Sequence, residues 1–126
     1  MARSIASVLG GRRVEALKGG LQLALELSEG LVVTVESDFR LTAASGVEHF
    51  YPGLTMEPSG GLLELIGARV TEAGTTLAGG LELAFDCGRT LSVPPDSTYQ
   101  PWTVAGPDGP LFTALPGGYL TGRPQP

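Results

Sequence analysis

The chain has 126 residues, 42% of them hydrophobic and 17% charged, with 19 Gly, 10 Pro and a formal net charge of −5. That length suits a single domain, 1–126, able to bury a core without disulfides or metal, and the composition excludes a disordered chain. The charge is uneven: residues 1–20 carry +3, residues 21–96 carry −8 and residues 97–126 are neutral, which argues against nucleic acid and for a basic protein partner.

In chain order, Ser4–Leu9 has room only for a helical turn. A strand is expected over Arg13–Ala16. Leu21, Leu23, Leu25 and Leu27 then alternate with Gln22, Ala24 and Glu26, the period of a strand with one buried face. Ser28-Glu29-Gly30 turns the chain, and Val33 and Val35 return it as the second arm of a hairpin. Strands are expected over Phe39–Ala43 and Val47–Tyr51, separated by Ala44-Ser45-Gly46 and closed by Pro52-Gly53. A second helical turn is expected over Gly61–Ile66.

The pattern then recurs. Arg69–Ala73 is a strand, and Leu81, Leu83, Phe85 and Cys87 alternate with Glu82, Ala84 and Asp86, placing Cys87 on the inward face. Gly88 turns the chain, Leu91 and Val93 return it, and Pro94-Pro95 end the ladder because proline cannot donate to it. Strands Trp102–Ala105 and Leu111–Leu115 flank a Gly-Pro-Asp-Gly turn, Pro116-Gly117-Gly118 closes the unit, and 122–126 reads as a frayed tail.

Gly11-Arg12-Arg13-Val14 aligns with Gly67-Ala68-Arg69-Val70, and Gly20–Glu26 with Gly80–Asp86. Gly30 aligns with Gly88, Val33 with Leu91 and Val35 with Val93. The expected fold is therefore all-β: a sandwich or small barrel of about ten short strands from two pseudo-twofold repeats, about 11–53 and 67–118, with at most short helical turns.

The stretch Phe85-Asp86-x-Gly88-x-x-Leu91-x-Val93-Pro94-Pro95-Asp96, followed by Tyr99-x-x-Trp102 and later by Pro116-Gly117-Gly118, resembles a family of small actinobacterial proteins of unknown function. They share an FxxGxxLxVPPDxxYxxW stretch and a C-terminal PGG. Gln100-Pro101 stands where that family has an acidic residue beside the Trp. The resemblance implies no established activity. In size and composition the chain is similar to small immunity-type proteins that block a toxin.

Cys87 and His49 are the only Cys and His. They exclude an internal disulfide and cannot complete a zinc set, so neither a metal nor a cofactor is expected. An inward Cys87 is inert core and not a nucleophile paired with His49. Glu82 and Asp86 share one strand face about 13 Å apart, too far for paired carboxylate catalysis. Arg13 and Arg69, at equivalent positions, are expected to salt-bridge the acidic outer faces, with symmetric contact to a partner as the alternative. No phosphate-binding loop, dinucleotide fingerprint or nucleophile elbow is present. No run reaches the length of a membrane helix, and the start is too short for a secretory signal, so the expected location is the cytoplasm.

The leading expectation is a non-enzymatic partner-binding protein, an immunity-like inhibitor of a basic protein, contacting its partner through Tyr99, Trp102, Glu82, Asp86 and Glu26, with Trp102 alternatively capping one end of the core. One alternative is a small β-barrel that binds an apolar ligand or shapes a substrate in biosynthesis. Another is a homodimer joined at a strand edge.

Overall fold

A computed structural model describes residues 4–118 and 120–122. Two antiparallel sheets face each other across one hydrophobic core, and neither closes into a barrel. Eleven strands occur among the described residues: β1 (Val14–Lys18), β2 (Leu23–Leu27), β3 (Val32–Val35), β4 (Phe39–Ala43), β5 (Gly46–Phe50), β6 (Val70–Thr75), β7 (Leu81–Phe85), β8 (Thr90–Val93), β9 (Trp102–Gly106), β10 (Gly109–Ala114) and β11 (Leu120–Gly122). One short helix, α1 (Ile5–Leu9), starts at a capping box in which the Ser4 hydroxyl accepts from the Ser7 N–H at 3.0 Å and the Ser7 hydroxyl accepts from the Ser4 N–H at 3.1 Å. The expected second helical turn is a 3-10 segment, Gly60–Leu65.

The first sheet runs β1-β2-β3-β9-β10-β11 and the second β5-β4-β8-β7-β6. Each therefore combines three consecutive strands from one half of the chain with strands from the other half. Read from β6, the second sheet is β6-β7-β8-β4-β5, the same pattern as β1-β2-β3-β9-β10 with the halves exchanged. The halves meet at an antiparallel bridge between Arg13 and Arg69. Around it the Val14 N–H donates to the Ala68 carbonyl at 2.9 Å and the Val70 N–H to the Arg12 carbonyl at 2.8 Å. The Gly67 N–H donates to Val14, and the Gly11 N–H to Val70, both at 2.8 Å. Each of these bonds from one half has a counterpart from the other.

The alternation read in the sequence explains the core. In β2, Leu23, Leu25 and Leu27 are buried, and in β7 Leu81, Leu83 and Phe85. Val33 and Val35 join them from the first sheet, and Phe39, Leu41, Leu91 and Val93 from the second. Burying such side chains contributes roughly 1.5–3 kcal/mol each before entropy is subtracted.

Three expectations need correction. Leu21 is 68% exposed and lies in the β1–β2 loop, so the first Leu run is one alternation shorter than expected. Leu23, not Leu21, holds the place that Leu81 holds, since Leu23 faces Val35 as Leu81 faces Val93. Cys87 is exposed, because the Phe85 N–H already donates to the Arg89 carbonyl and closes the turn, ejecting Asp86-Cys87-Gly88. Arg13 and Arg69 do not salt-bridge the outer faces; their backbones form the bridge, and the Arg69 guanidinium donates to the Gly11 carbonyl at 3.1 Å. It is Arg12 that pairs with Glu29. The expected frayed tail lies outside the described residues except for Gly122, which ends β11. No helix among the described residues is long and apolar enough to cross a membrane.

Candidate functional site

The chain changes sheets at two crossovers, residues 36–38 between β3 and β4 and residues 94–101 between β8 and β9. Because β3 lies beside β9 and β8 beside β4, both crossovers emerge at one end of the sandwich. The Glu36 N–H donates to the Pro101 carbonyl at 2.9 Å and ties them together. Between them lies a cleft of about 420 Å³, lined by Glu36, Ser37, Asp38, Pro94, Asp96 and Tyr99 among others.

Pro94 and Pro95 end β8 and stiffen the entry to the longer crossover. Asp96 then organises it: one carboxylate oxygen accepts from the Thr98 N–H at 2.7 Å and the Tyr99 N–H at 2.8 Å. Those two backbone donors hold the Asp96 carboxyl below its ordinary pKa of 3.8, in the order Thr98 then Tyr99, against a smaller desolvation effect. The Asp96 carbonyl also accepts from the Gly117 N–H at 2.7 Å, fastening the loop to the turn before β11. The result is a short, braced loop that presents Tyr99 with 70% of its surface exposed.

The cleft carries three acidic side chains, and Arg40 lines the adjoining depression with Asp38. Among the described residues, the ion pairs are Arg12–Glu29, Lys18–Glu26 and Arg89–Glu64, so Glu36, Asp38 and Asp96 line the cleft without a cationic partner. The Ser37 hydroxyl oxygen is buried with no hydrogen-bond partner.

Of the expected contact residues, only Tyr99 lies here. Trp102 is fully buried, and its indole N–H donates to the Gly79 carbonyl at 3.3 Å, so it has no surface to offer a partner. Glu26 points outward from the first sheet and is paired with Lys18 at 3.0 Å, while Glu82 points outward from the second sheet. Back-to-back faces cannot form one surface. Asp86 sits in the turn after β7, and its carboxylate accepts from the Arg69 N–H at 3.1 Å, as the Ser28 hydroxyl accepts from Arg13. Glu36 and Asp38 do not stand out in the sequence, because a three-residue linker carries no periodicity. Their signal was the crossover itself, the counterpart of the Pro-Pro-Asp loop.

His49 and Cys87 are not brought together. His49 faces Arg40 across β4–β5 and Arg40 faces Ser92 across β4–β8, while Cys87 lies in the far turn of β8. Strand spacings alone put them on the order of 15 Å apart. The exposed Cys87 should react with a thiol reagent as fast in the native protein as in denaturant, and Cys87→Ser should change stability by less than about 0.5 kcal/mol. Slow labelling of the native state would contradict this placement. Among the described residues, no group of three or more His, Cys, Asp or Glu is arranged to hold a metal ion.

A second depression, about 520 Å³, lies at the β1–β2 loop and is lined by Leu17, Met56, Pro58, Leu63 and Ile66 together with Gly19, Gly20, Thr55 and Glu57. Leu63 and Ile66 are 52% and 48% exposed there.

No curated protein and no solved structure matches the chain at a significant level. A family model described as a family of unknown function, DUF6188, matches residues 5–123. The match spans both halves and both crossovers, and the chain belongs to that family.

Proposed function

We propose that the protein is a non-enzymatic binding module that receives a basic segment of another protein in the cleft between its crossovers. The observation that carries this reading is the set of carboxylates at Glu36, Asp38 and Asp96, unpaired among the described residues, beside a braced and exposed Tyr99. An Arg or Lys side chain entering there gains charge-assisted hydrogen bonds, and its flat or aliphatic part can lie on the Tyr99 ring. The loop is already ordered, so little entropy is lost on binding. An inhibitor of a basic protein, as an immunity-type protein is, would use such a site. The equivalent strand orders and paired hydrogen bonds support reading the chain as two copies of one five-strand unit, with the site built where their crossovers meet.

The test is titration with a short Arg-rich peptide followed by NMR. Backbone signals of Glu36, Ser37, Asp38 and Tyr99 should move first. Glu36→Gln and Asp38→Asn should each weaken binding by about threefold at low salt, and high salt should weaken the wild type further. Shifts confined to the outer faces around Glu82 or Glu26, or binding indifferent to salt, would place the site elsewhere.

A second reading is favoured by the apolar depression at Met56, Leu63 and Ile66: an apolar ligand bound at the β1–β2 loop, not inside a barrel. A hydrophobic dye displaced by Ile66→Lys but unaffected by Asp38→Asn would support it; no dye binding would remove it.

A further inference from the structure

The two sheets differ at one edge. On the first, β11 covers β10, pairing Phe112 with Gly122, Thr113 with Thr121 and Ala114 with Leu120. On the second, β5 holds the position of β10, and nothing among the described residues covers it. The cause is where the chain goes next. After Pro116–Gly118 it turns back along β10 as β11. After the matching turn Pro52–Leu54 it passes through Thr55, held at a left-handed φ of 61°, and crosses to the β1–β2 loop. There the Gly20 N–H donates to Met56 at 2.8 Å and the Met56 N–H to Gly20 at 2.9 Å.

The uncovered edge is competent for pairing. Ala43 and Gly46 close the two-residue β4–β5 loop as a hydrogen-bonded pair, so Leu41–Glu48 and Phe39–Phe50 are hydrogen-bonded pairs too. The backbone N–H and C=O of Val47 and His49 therefore point away from β4, as those of Thr113 point toward β11. No turn, loop or cap hydrogen bond among the described residues uses them. On the outer face of that edge Val47 is 50% and Tyr51 47% exposed, with exposed His49 between them. Proline, lysine and a bulge are absent from Gly46–Phe50; the strand's one charge, Glu48, lies on the face of buried Leu41 and is held by the Gly61 N–H at 2.9 Å, leaving the backbone edge itself open.

We infer that β5 is a self-association edge, filled by β5 of a second copy running antiparallel about a twofold axis at His49. The strand is self-complementary in that register. Val47 then lies opposite the second copy's Tyr51, so each exposed apolar side chain meets the other, and Glu48 lies opposite Phe50; the Tyr51 carbonyl already accepts from the Leu54 N–H at 2.9 Å, so the new ladder centres on the His49 pair. The neighbouring register that keeps inward faces inward centres on Glu48 and sets two carboxylates directly opposite each other, an unfavourable pair. The product is one continuous sheet of ten strands, five from each copy. This inference is independent of the crossover cleft, which lies on different residues.

The test is sedimentation equilibrium of the whole chain from micromolar to millimolar concentration. A concentration-dependent dimer is expected. Val47→Lys, at an exposed position, should leave circular dichroism and thermal unfolding unchanged and make the protein monomeric, and His49→Pro should do the same by removing a ladder donor. His49→Cys in a Cys87→Ala background should form an interchain disulfide, because a hydrogen-bonded antiparallel pair sets Cα atoms about 5.5 Å apart. A wild type that stays monomeric at millimolar concentration, or a dimer that survives both Val47→Lys and His49→Pro, overturns the inference. So does a monomer that takes up an added extended peptide along β5, which would assign the edge to a different occupant.

Discussion

Trp102→Ala should destabilise the protein by about 3–5 kcal/mol, the largest effect expected of any single truncation. Trp102 opens β9, faces Val35 across the sheet and has no exposed surface. The corresponding place in the second sheet is held by Phe39, the first residue of β4, whose ring stacks on Phe50 at a centroid distance of 5.1 Å. The counterpart of Phe50 is Ala114, next along β10 from the Thr113 that faces Thr103. One indole beside a methyl group therefore fills on one side what two phenyl rings fill on the other. Truncation at Trp102 leaves a void that Ala114 cannot close, and it removes the N–H held by the Gly79 carbonyl. Trp102→Phe should cost less, since most of the burial survives. Tyr99→Ala should stay within about 0.5 kcal/mol, because that ring is exposed. Urea unfolding of the three variants measures this. A cost below about 1 kcal/mol for Trp102→Ala would show that the indole is not in the core. The same logic removes Trp102 as a contact residue: any loss of binding in this variant would report on the fold.

Strand identity was legible because period-two alternation is a direct record of burial. Phe39–Ala43 emerged with the bounds expected of it, and Leu81, Leu83 and Phe85 all face inward. The errors came where alternation continues past the strand. Leu21 keeps the Leu-x-Leu rhythm but stands before β2, and Cys87 keeps the rhythm after β7. The match of Gly30 to Gly88 already held the remedy, since it sets Cys87 on Glu29, a turn residue. Glu29 has a left-handed φ of 63°, and Gly30 and Gly88 have φ of 77° and 85°, so the turn geometry overrides the side-chain rhythm. β11 was not foreseen because three residues are too few to show a period. The site was less legible than the fold. Tyr99 could be picked from the Pro-Pro-Asp run, but Glu36 and Asp38 become its neighbours only through the exchange of strands between sheets. Side-chain type at a single position says nothing about which crossover lies beside which.

That exchange leads to the second large effect. Neither half of the chain should fold alone. Residues 1–59 contain β1-β2-β3 and the β4–β5 hairpin, but these two groups belong to different sheets and share no strand pairing. In the isolated fragment, the edge of β3 that pairs with β9 and the edge of β4 that pairs with β8 would be bare. The inward residues Leu23, Leu25, Val33 and Val35 would face water in place of the opposite sheet. Residues 60–126 meet the same obstacle through β7, β8 and β9. Small sheets with an uncovered apolar face lack the burial needed to offset chain entropy. Each fragment should show weak far-UV circular dichroism and no cooperative thermal transition. Mixing the two should restore both, because every strand pair between halves and the Arg13–Arg69 bridge can form across a chain break at residue 59, a position outside every strand. Recovery should follow second-order kinetics, and Trp102→Ala in the second fragment should weaken the reassembled pair. A first fragment that melts cooperatively as a monomer would mean that β4–β5 can close over β1-β2-β3 without the other half, and the interleaved sandwich would then not be the unit that folds.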